Sequence, residues 1–168
     1  LEENKSIEKY TDYRRMIEEH PELDLVAIAT SSGSHAEIAL FCIDNGINVI
    51  IEKPMAMCIA DADEIIKRAK KNNVKVCACH QNRFNVAVQQ VRKAVEANRL
   101  GEISHGSIHV RWNRGEEYYK QASWRGTWEE DGGCLMNQCI HSIDMLRWLM
   151  GDEVKSVFGQ TRRPVSYT

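Results

Sequence analysis

Short apolar segments alternate with longer amphipathic segments through the first half of the sequence, and this alternation restricts the folds that the chain can adopt. Residues 25–29, 48–52 and 74–78 are short, largely apolar runs, whereas residues 34–44 and 61–71 have the apolar spacing of helices. Strands that alternate with helices over short connections predict right-handed βαβ units in a parallel sheet. We expect the strand at residues 25–29 to be covered on both faces, as parallel strands usually are.

Residues typical of helix ends support these boundaries. Thr11 and Asp12 predict the start of a first helix, and Pro21 lies just past its end. Ser34 is expected to cap the next helix with its side chain, and Gly46 is expected to end it.

The second half of the chain is predicted to mix helices with strands. A helix is expected over residues 85–98, a half-exposed strand over residues 103–112, and a further strand over residues 154–161. The composition changes near residue 80, where we place the boundary between a nucleotide-fold half and a second α/β domain.

Charge and composition exclude several classes of partner. The chain has 22 Lys and Arg against 24 Asp and Glu, and its pI is near 6.3, so no basic surface for nucleic acid is expected. No apolar run approaches the roughly 18–20 residues that span a membrane. We expect a cytoplasmic protein whose six cysteines are reduced thiols. No metal site is expected, because the cysteines and histidines lack a zinc-ligand spacing.

Lys53 occupies the place where a parallel sheet presents its ligands. The tripeptide Glu52-Lys53-Pro54 directly follows a predicted strand, and ligands of such sheets bind beyond the carboxyl ends of the strands. A partly desolvated lysine there can exchange a proton or donate a hydrogen bond to a substrate hydroxyl. A solvated lysine at the end of a strand is the alternative interpretation.

A polar stripe runs along the helix predicted after Gly132-Gly133. Asn137, His141, Asp144 and Trp148 follow one another at helical steps of three and four residues within an otherwise apolar segment. Buried polar groups need partners or a ligand, so His141 is either a satisfied core histidine or a general base. A base and Lys53 acting on one secondary hydroxyl would place a hydride-transfer reaction between the two halves of the chain.

Aromatic and arginine side chains are concentrated in one polar segment before that helix. The segment either is a loop pinned by its aromatic rings or forms a wall that contacts a nucleotide or nucleotide sugar. Its members are Trp112, Tyr118, Tyr119, Trp124 and Trp128, with Arg111, Arg114 and Arg125.

The sequence lacks the glycine-rich turn that holds the phosphates of a dinucleotide. No G-x-G-x-x-G occurs, and Gly132-Gly133 precedes a helix in the other half of the chain. We expect this turn to be missing or to lie upstream of Leu1, and the chain to be an internal fragment. Because the turn supplies the main backbone donors, we expect this chain by itself to bind NAD poorly.

Taken in order, these motifs resemble the family of glucose-fructose oxidoreductase, inositol dehydrogenase and MocA. The motifs that carry the resemblance are residues 30–35, residues 52–54, residues 82–84, and Gly132-Gly133 followed by Asn137, His141 and Asp144. The resemblance implies an NAD(P)-dependent oxidoreductase of the α/β class. Residues 1–80 would form the C-terminal part of a Rossmann-type parallel sheet without its first βαβ unit. Residues 81–168 would begin an α/β substrate domain with a mostly antiparallel sheet, through which members often form homo-oligomers.

The resemblance also implies roles for individual residues. Lys53 and His141 would be the catalytic pair and would contact a small-molecule substrate together with Asn137 and Gln138. NAD or NADP would contact Thr30, Ser31, Ser32, His35, Glu52, Lys53, Arg83, Trp124 and Arg125. The family commonly has aspartate at the position of Asn137. The asparagine of this sequence weakens a proton relay through this position, but it can still form a hydrogen bond with the substrate.

The substrate is expected to be a sugar or a nucleotide sugar. Asn137-Gln138 and the segment 112–128 resemble the branch that oxidises the 3-hydroxyl of UDP-N-acetylglucosamine or its uronic acid. Inositol, simple sugars and other nucleotide sugars stay open as substrates. Two alternative functions stay open. One is a non-catalytic member of the same fold, and the other, from the residues alone, is a metal-dependent hydrolase.

Overall fold

A computed structural model describes residues 7–151 and 153–160, and its first half is a parallel α/β layer. The strands are adjacent in the order of the sequence and all parallel, and they are β1 (Leu25–Ile28), β2 (Asn48–Ile51) and β3 (Val76–Ala78). The helices of this half are α1 (Tyr13–Glu19), α2 (His35–Asp44) and α3 (Ile59–Asn72). The predicted α/β class is therefore confirmed.

The helices cover one face of the sheet in the described part of the chain. Val49 and Ile51 are 1% and 0% exposed and pack in one apolar cluster with residues of α1, α2 and α3. Leu25 projects from the opposite face, because side chains alternate along a strand, and it is 49% exposed. The expectation that this strand is covered on both faces is wrong for the described residues.

Helix boundaries follow local chemistry with one exception. The Asp12 carboxylate accepts the backbone N–H of Arg14 at 2.9 Å, as expected of a helix N-cap. Gly46 adopts a φ of +76° just past α2, where glycine is favoured. The side-chain cap predicted for Ser34 is wrong, because its hydroxyl donates instead to the Ser31 carbonyl at 2.8 Å within a 3-10 turn.

The described residues after β3 form helices and extended loops. The helices are α4 (Val86–Glu96), α5 (Glu116–Lys120), α6 (Trp128–Asp131), α7 (Gly133–Asn137) and α8 (Ile140–Met150). The strand predicted over residues 103–112 is wrong: this segment is mostly exposed, and no described strand lies beside it to pair with its backbone groups. Residues 154–160 likewise form no strand, and Thr161 lies outside the described residues.

The helix predicted after Gly132-Gly133 is divided into α7 and α8. The backbone N–H groups of Gln138 and Cys139 both donate to the Cys134 carbonyl at 3.0 Å, which ends α7 before α8 begins. The prediction of one continuous helical stripe is therefore wrong. Asn137 ends the first helix and His141 lies in the first turn of the second.

The core can be tested with two neighbouring isoleucines on α3. Ile65 is 0% exposed and Ile66 is 44% exposed. In the full-length protein we expect Ile65→Ala to lower the free energy of unfolding by about 2–5 kcal/mol, because it leaves a cavity in a packed core. Ile66→Ala is the matched control, and we expect a clearly smaller loss in urea titrations of both variants. Equal losses would contradict the assigned core.

Candidate functional site

A cleft of about 420 Å³ lies at the carboxyl ends of the strands, where the loops after β1, β2 and β3 meet the second half of the chain. Parallel sheets bind ligands at this edge. The residues that line the cleft are Ala29, Thr30, Ser32, His35, Glu52, Lys53, Gln81, Asn82, Trp112, Arg114, Tyr118, Trp124, Arg125, Asn137, Gln138 and His141. The cleft thus brings together most of the predicted site residues.

Two predicted site residues, Ser31 and Arg83, do not line the cleft. The Ser31 hydroxyl lies 3.4 Å from the Ser34 hydroxyl. The Arg83 guanidinium makes a bidentate pair with Asp144, with Nε donating to Oδ2 at 2.7 Å and Nη2 to Oδ1. Arg83 also lies over the Trp148 ring, 5.3 Å from its centroid. Asp144 and Trp148 therefore bind arginine, whereas Asn137 and His141 face the cleft.

Lys53 reaches from the loop after β2 to the end of α7. Its Nζ donates to the Asn137 carbonyl at 2.9 Å and to the Asn137 side-chain oxygen at 3.0 Å. Burial lowers the pKa of Lys53, while the negative charges of Glu52 and Asp131 oppose that change. An ammonium group has three N–H donors, so two bonds to Asn137 leave one for a ligand.

His141 presents a buried imidazole to the same cleft. It is 9% exposed, and its Nδ1 has no hydrogen-bond partner among the described residues. Its ring lies edge-on to the His80 ring, with 6.2 Å between centroids. Burial lowers the pKa of His141, and the Lys53 ammonium and the neighbouring His80 ring lower it further. The neutral ring, which can accept a proton, is therefore favoured near pH 7.

His35 connects the two loops that border the cleft. It is 1% exposed, and its Nδ1 and Nε2 lie 2.8 and 3.2 Å from the backbone carbonyls of Pro54 and Thr30. Both ring nitrogens thus face main-chain oxygens. Contacts of this kind hold the loop after β1 against the loop after β2.

The Tyr118 hydroxyl organises the aromatic wall of the cleft. It accepts hydrogen bonds from Arg125 Nη1 at 2.7 Å and from Gln138 Nε2 at 2.9 Å. The guanidinium groups of Arg114 and Arg125 lie over the Tyr118 ring, 4.7 and 4.5 Å from its centroid. Arg114 also donates to the Gln138 side-chain oxygen at 3.3 Å. The segment is therefore both pinned by its own rings and part of the cleft.

Asp131 is a buried residue beside the site that the sequence analysis did not identify. It ends α6, is 4% exposed, and accepts the Gly126 backbone N–H at 2.8 Å and the Asn137 side-chain amide. In the sequence it follows two other acidic residues at a helix end, which is typical of a solvated turn. No spacing rule distinguishes it from its neighbours.

The side chains of the cleft suit an anionic, hydroxyl-rich ligand. The described lining has three cationic side chains, Lys53, Arg114 and Arg125, against the single carboxylate of Glu52. The buried nitrogens His141 Nδ1 and Arg125 Nε have no hydrogen-bond partner among the described residues, so a ligand can supply one. The lining therefore suits a ligand that offers hydroxyl groups and anionic oxygens. In residues 7–151 and 153–160, no three potential metal-ligating side chains cluster, and no helix there is long and apolar enough to cross a membrane.

Comparison with known families assigns both halves of the chain to one family. Residues 1–80 match the model of an oxidoreductase family with an NAD-binding Rossmann fold, and residues 88–167 match the GFO/IDH/MocA C-terminal domain. The chain belongs to the GFO/IDH/MocA family. The predicted resemblance is therefore confirmed. The prediction that the cofactor of this GFO/IDH/MocA fold is a nicotinamide dinucleotide is also confirmed.

Several relatives within the GFO/IDH/MocA family are dehydrogenases of sugars or polyols. The chain is 30% identical over 160 residues to myo-inositol 2-dehydrogenase of Thermotoga maritima, covering 94% of this chain and 45% of the relative. It is 38% identical to the WlbA dehydrogenase of Bordetella pertussis, solved with NADH and UDP-GlcNAcA, with a TM-score of 0.75 over 80% of this chain and 43% of that structure.

A levoglucosan dehydrogenase solved with NADH and levoglucosan is 27% identical, with a TM-score of 0.71 over 85% of this chain and 38% of that structure. The chain spans less than half the length of each of these three proteins.

Proposed function

We propose that the full-length protein oxidises a secondary hydroxyl of a sugar or nucleotide sugar by hydride transfer to NAD or NADP. The observation that carries this proposal is that Lys53 and His141, from different halves of the chain, line one cleft. A nicotinamide dinucleotide, when bound, supplies the hydride acceptor. Thr30, Ser32 and Glu52 offer hydroxyl and carboxylate oxygens from the same cleft to its ribose and nicotinamide amide.

His141 is the proposed general base. The burial that lowers its pKa keeps the ring neutral, so that it can accept the proton of the substrate hydroxyl. Lys53 is the proposed electrophile: its remaining N–H donor binds the same oxygen and stabilises the negative charge that develops there. The family's usual aspartate is replaced by Asn137, so here the lysine is held by a neutral side chain.

A nucleotide sugar is the proposed substrate class. Arg114 and Arg125 pair most favourably with phosphate or carboxylate oxygens, and Trp112, Tyr118 and Trp124 offer flat apolar surfaces to a base or a sugar ring. The 38% identical WlbA dehydrogenase was solved with UDP-GlcNAcA, which contains both kinds of acidic group. We therefore favour UDP-N-acetylglucosamine or its uronic acid, oxidised at the 3-hydroxyl.

The proposed function is tested by following reduced nicotinamide absorbance with the full-length protein. The panel contains UDP-sugars, UDP-uronic acids, inositols and simple sugars, each with NAD and with NADP. We expect turnover that is fastest with a UDP-linked sugar or uronic acid. Turnover of polyols alone would contradict the substrate class. No turnover, with no tightly bound nicotinamide, would favour a non-catalytic member of the fold.

The pH dependence of oxidation reports on the proposed base. A base whose folded-state pKa is lowered stays unprotonated, and therefore active, to lower pH than a free imidazole, whose pKa is about 6.5. We expect kcat/KM to fall on the acid side with a midpoint below that value. The measurement is a pH–rate profile at constant ionic strength. An acid midpoint clearly above the value of free imidazole would contradict the assignment.

A further inference from the structure

Asp131 is a buried carboxylate that lies directly behind the Lys53 contact. It is 4% exposed, and among the described residues no cationic nitrogen lies within ion-pair distance of it. Its two oxygens are occupied by neutral donors, the Gly126 backbone N–H at 2.8 Å and the Asn137 amide. A buried charge held only by neutral donors is costly for stability, so a role beyond stability is indicated.

The contact with Asp131 fixes the orientation of the Asn137 amide. A carboxylate only accepts hydrogen bonds, so the NH₂ end of Asn137 must face Asp131. The oxygen end then faces the other way, where it accepts from Lys53 Nζ at 3.0 Å. The Asn137 backbone carbonyl accepts from the same Nζ at 2.9 Å. Reversing the Asn137 amide would place its NH₂ group against the Lys53 ammonium group, and both groups are donors.

We propose that Asp131 is a positioning residue, which orients the Asn137 amide so that Lys53 is held as an ammonium group toward the cleft. The inference rests on the proposed role of Lys53 in the reaction. Asp131 does not line the cleft, whereas Asn137 and Lys53 do. Its proposed effect on the substrate therefore passes through these two residues.

The charge of Asp131 also acts on Lys53 through space. The charged groups that influence Lys53 are Glu52 and Asp131, which favour its ammonium form, and Arg125, which disfavours it. The imidazole of His141 shares the cleft and interacts with the Lys53 charge. Removing the Asp131 charge should lower the pKa of Lys53 further, because one of two favourable charges is lost while burial remains.

Three variants of the full-length enzyme test the inference. They are Asp131→Asn, Asn137→Asp and the double exchange Asp131→Asn/Asn137→Asp. Asp131→Asn keeps the shape but replaces one acceptor oxygen with an NH₂ group, which must face a donor, either the Gly126 N–H or the Asn137 amide. We therefore expect kcat to fall roughly 10- to 100-fold and the alkaline limb of the pH profile to move to lower pH. The double exchange restores one carboxylate and one amide in contact. We expect it to recover most of kcat and to return the alkaline limb to at least its original pH, because a carboxylate then contacts Lys53.

Glu129→Gln, an exposed charge removal on the same helix, is the matched control, and we expect it to leave kcat and the alkaline limb unchanged. If Asp131→Asn changes neither quantity, or if the double exchange is no better than the worse single variant, the inference is wrong. If Asp131→Asn fails to fold, the comparison of the double exchange with Asn137→Asp decides: a higher kcat in the double exchange supports the inference, and an equal or lower kcat overturns it. Loss of activity in Lys53→Met with no effect of Asp131→Asn would overturn this inference alone. Unchanged activity in Lys53→Met would overturn the role of Lys53 on which the inference rests, whereas absence of turnover with the whole substrate panel would overturn the proposed function.

Discussion

Lys53→Met should lower kcat about 10²–10⁴-fold in the full-length protein, the range by which positioned proton-transfer and hydrogen-bonding groups accelerate reactions. Methionine keeps an unbranched side chain but cannot donate to Asn137 or to a substrate oxygen, so packing is preserved while the electrophile is lost. The measurement is the steady-state rate of nicotinamide reduction with the best substrate of the panel.

The matched control for this variant is Lys71→Met, at the exposed C-terminal end of α3. It removes one exposed lysine that does not line the cleft, and we expect its kcat to equal that of the unchanged protein. Melting temperatures of both variants show whether the fold is retained. A folded Lys53→Met protein with undiminished kcat would contradict the assigned role of Lys53.

His141→Gln should also lower kcat about 10²–10⁴-fold, because glutamine has no group that accepts a proton near neutral pH. A second effect distinguishes a lost base from a disturbed fold: the acid limb assigned to His141 should disappear from the residual activity. The measurement is a pH–rate profile of the variant with substrate concentrations above and below KM.

His109→Gln is the matched control, since His109 is exposed and lies outside the cleft lining. We expect it to retain both the rate and the acid limb. An acid limb that persists in His141→Gln would assign the titrating base to another residue. His80, whose ring adjoins that of His141, would then be the first residue to test.

Structure that depends on short local patterns could be predicted from the sequence. The runs that became β1, β2 and β3 are apolar enough to identify without knowledge of their neighbours, and the helix ends at Asp12 and Gly46 follow from single residues. The placement of Lys53 at the ligand edge follows from the same patterns, because the end of a parallel strand determines where the next residue lies.

The failures concern structure that depends on distant partners. The apolar alternation of residues 103–112 is compatible with a strand, but in the described chain no neighbouring strand pairs with it. The break between α7 and α8 arises from two backbone donors converging on one carbonyl, which helical spacing does not encode.

Part of the site was also beyond local patterns. The contact of Lys53 with Asn137 joins residues 84 positions apart, and Asp131 is distinguished only by its burial behind that contact. The pairing of Arg83 with Asp144, which directs Arg83 away from the cleft lining, spans 61 positions. Such long-range pairs depend on how the two halves of the chain pack, and neither partner's sequence neighbourhood indicates them.

The proposed mechanism requires the Lys53 amine and the His141 ring to act on the same hydroxyl. The most direct test is a crystal structure of the full-length protein with a reduced nicotinamide dinucleotide and the best substrate of the panel. We expect Lys53 Nζ and a ring nitrogen of His141 both to lie within hydrogen-bonding distance of one substrate oxygen, beside the nicotinamide ring. A substrate bound with its oxidised carbon away from either nitrogen would show that Lys53 and His141 do not act on one hydroxyl.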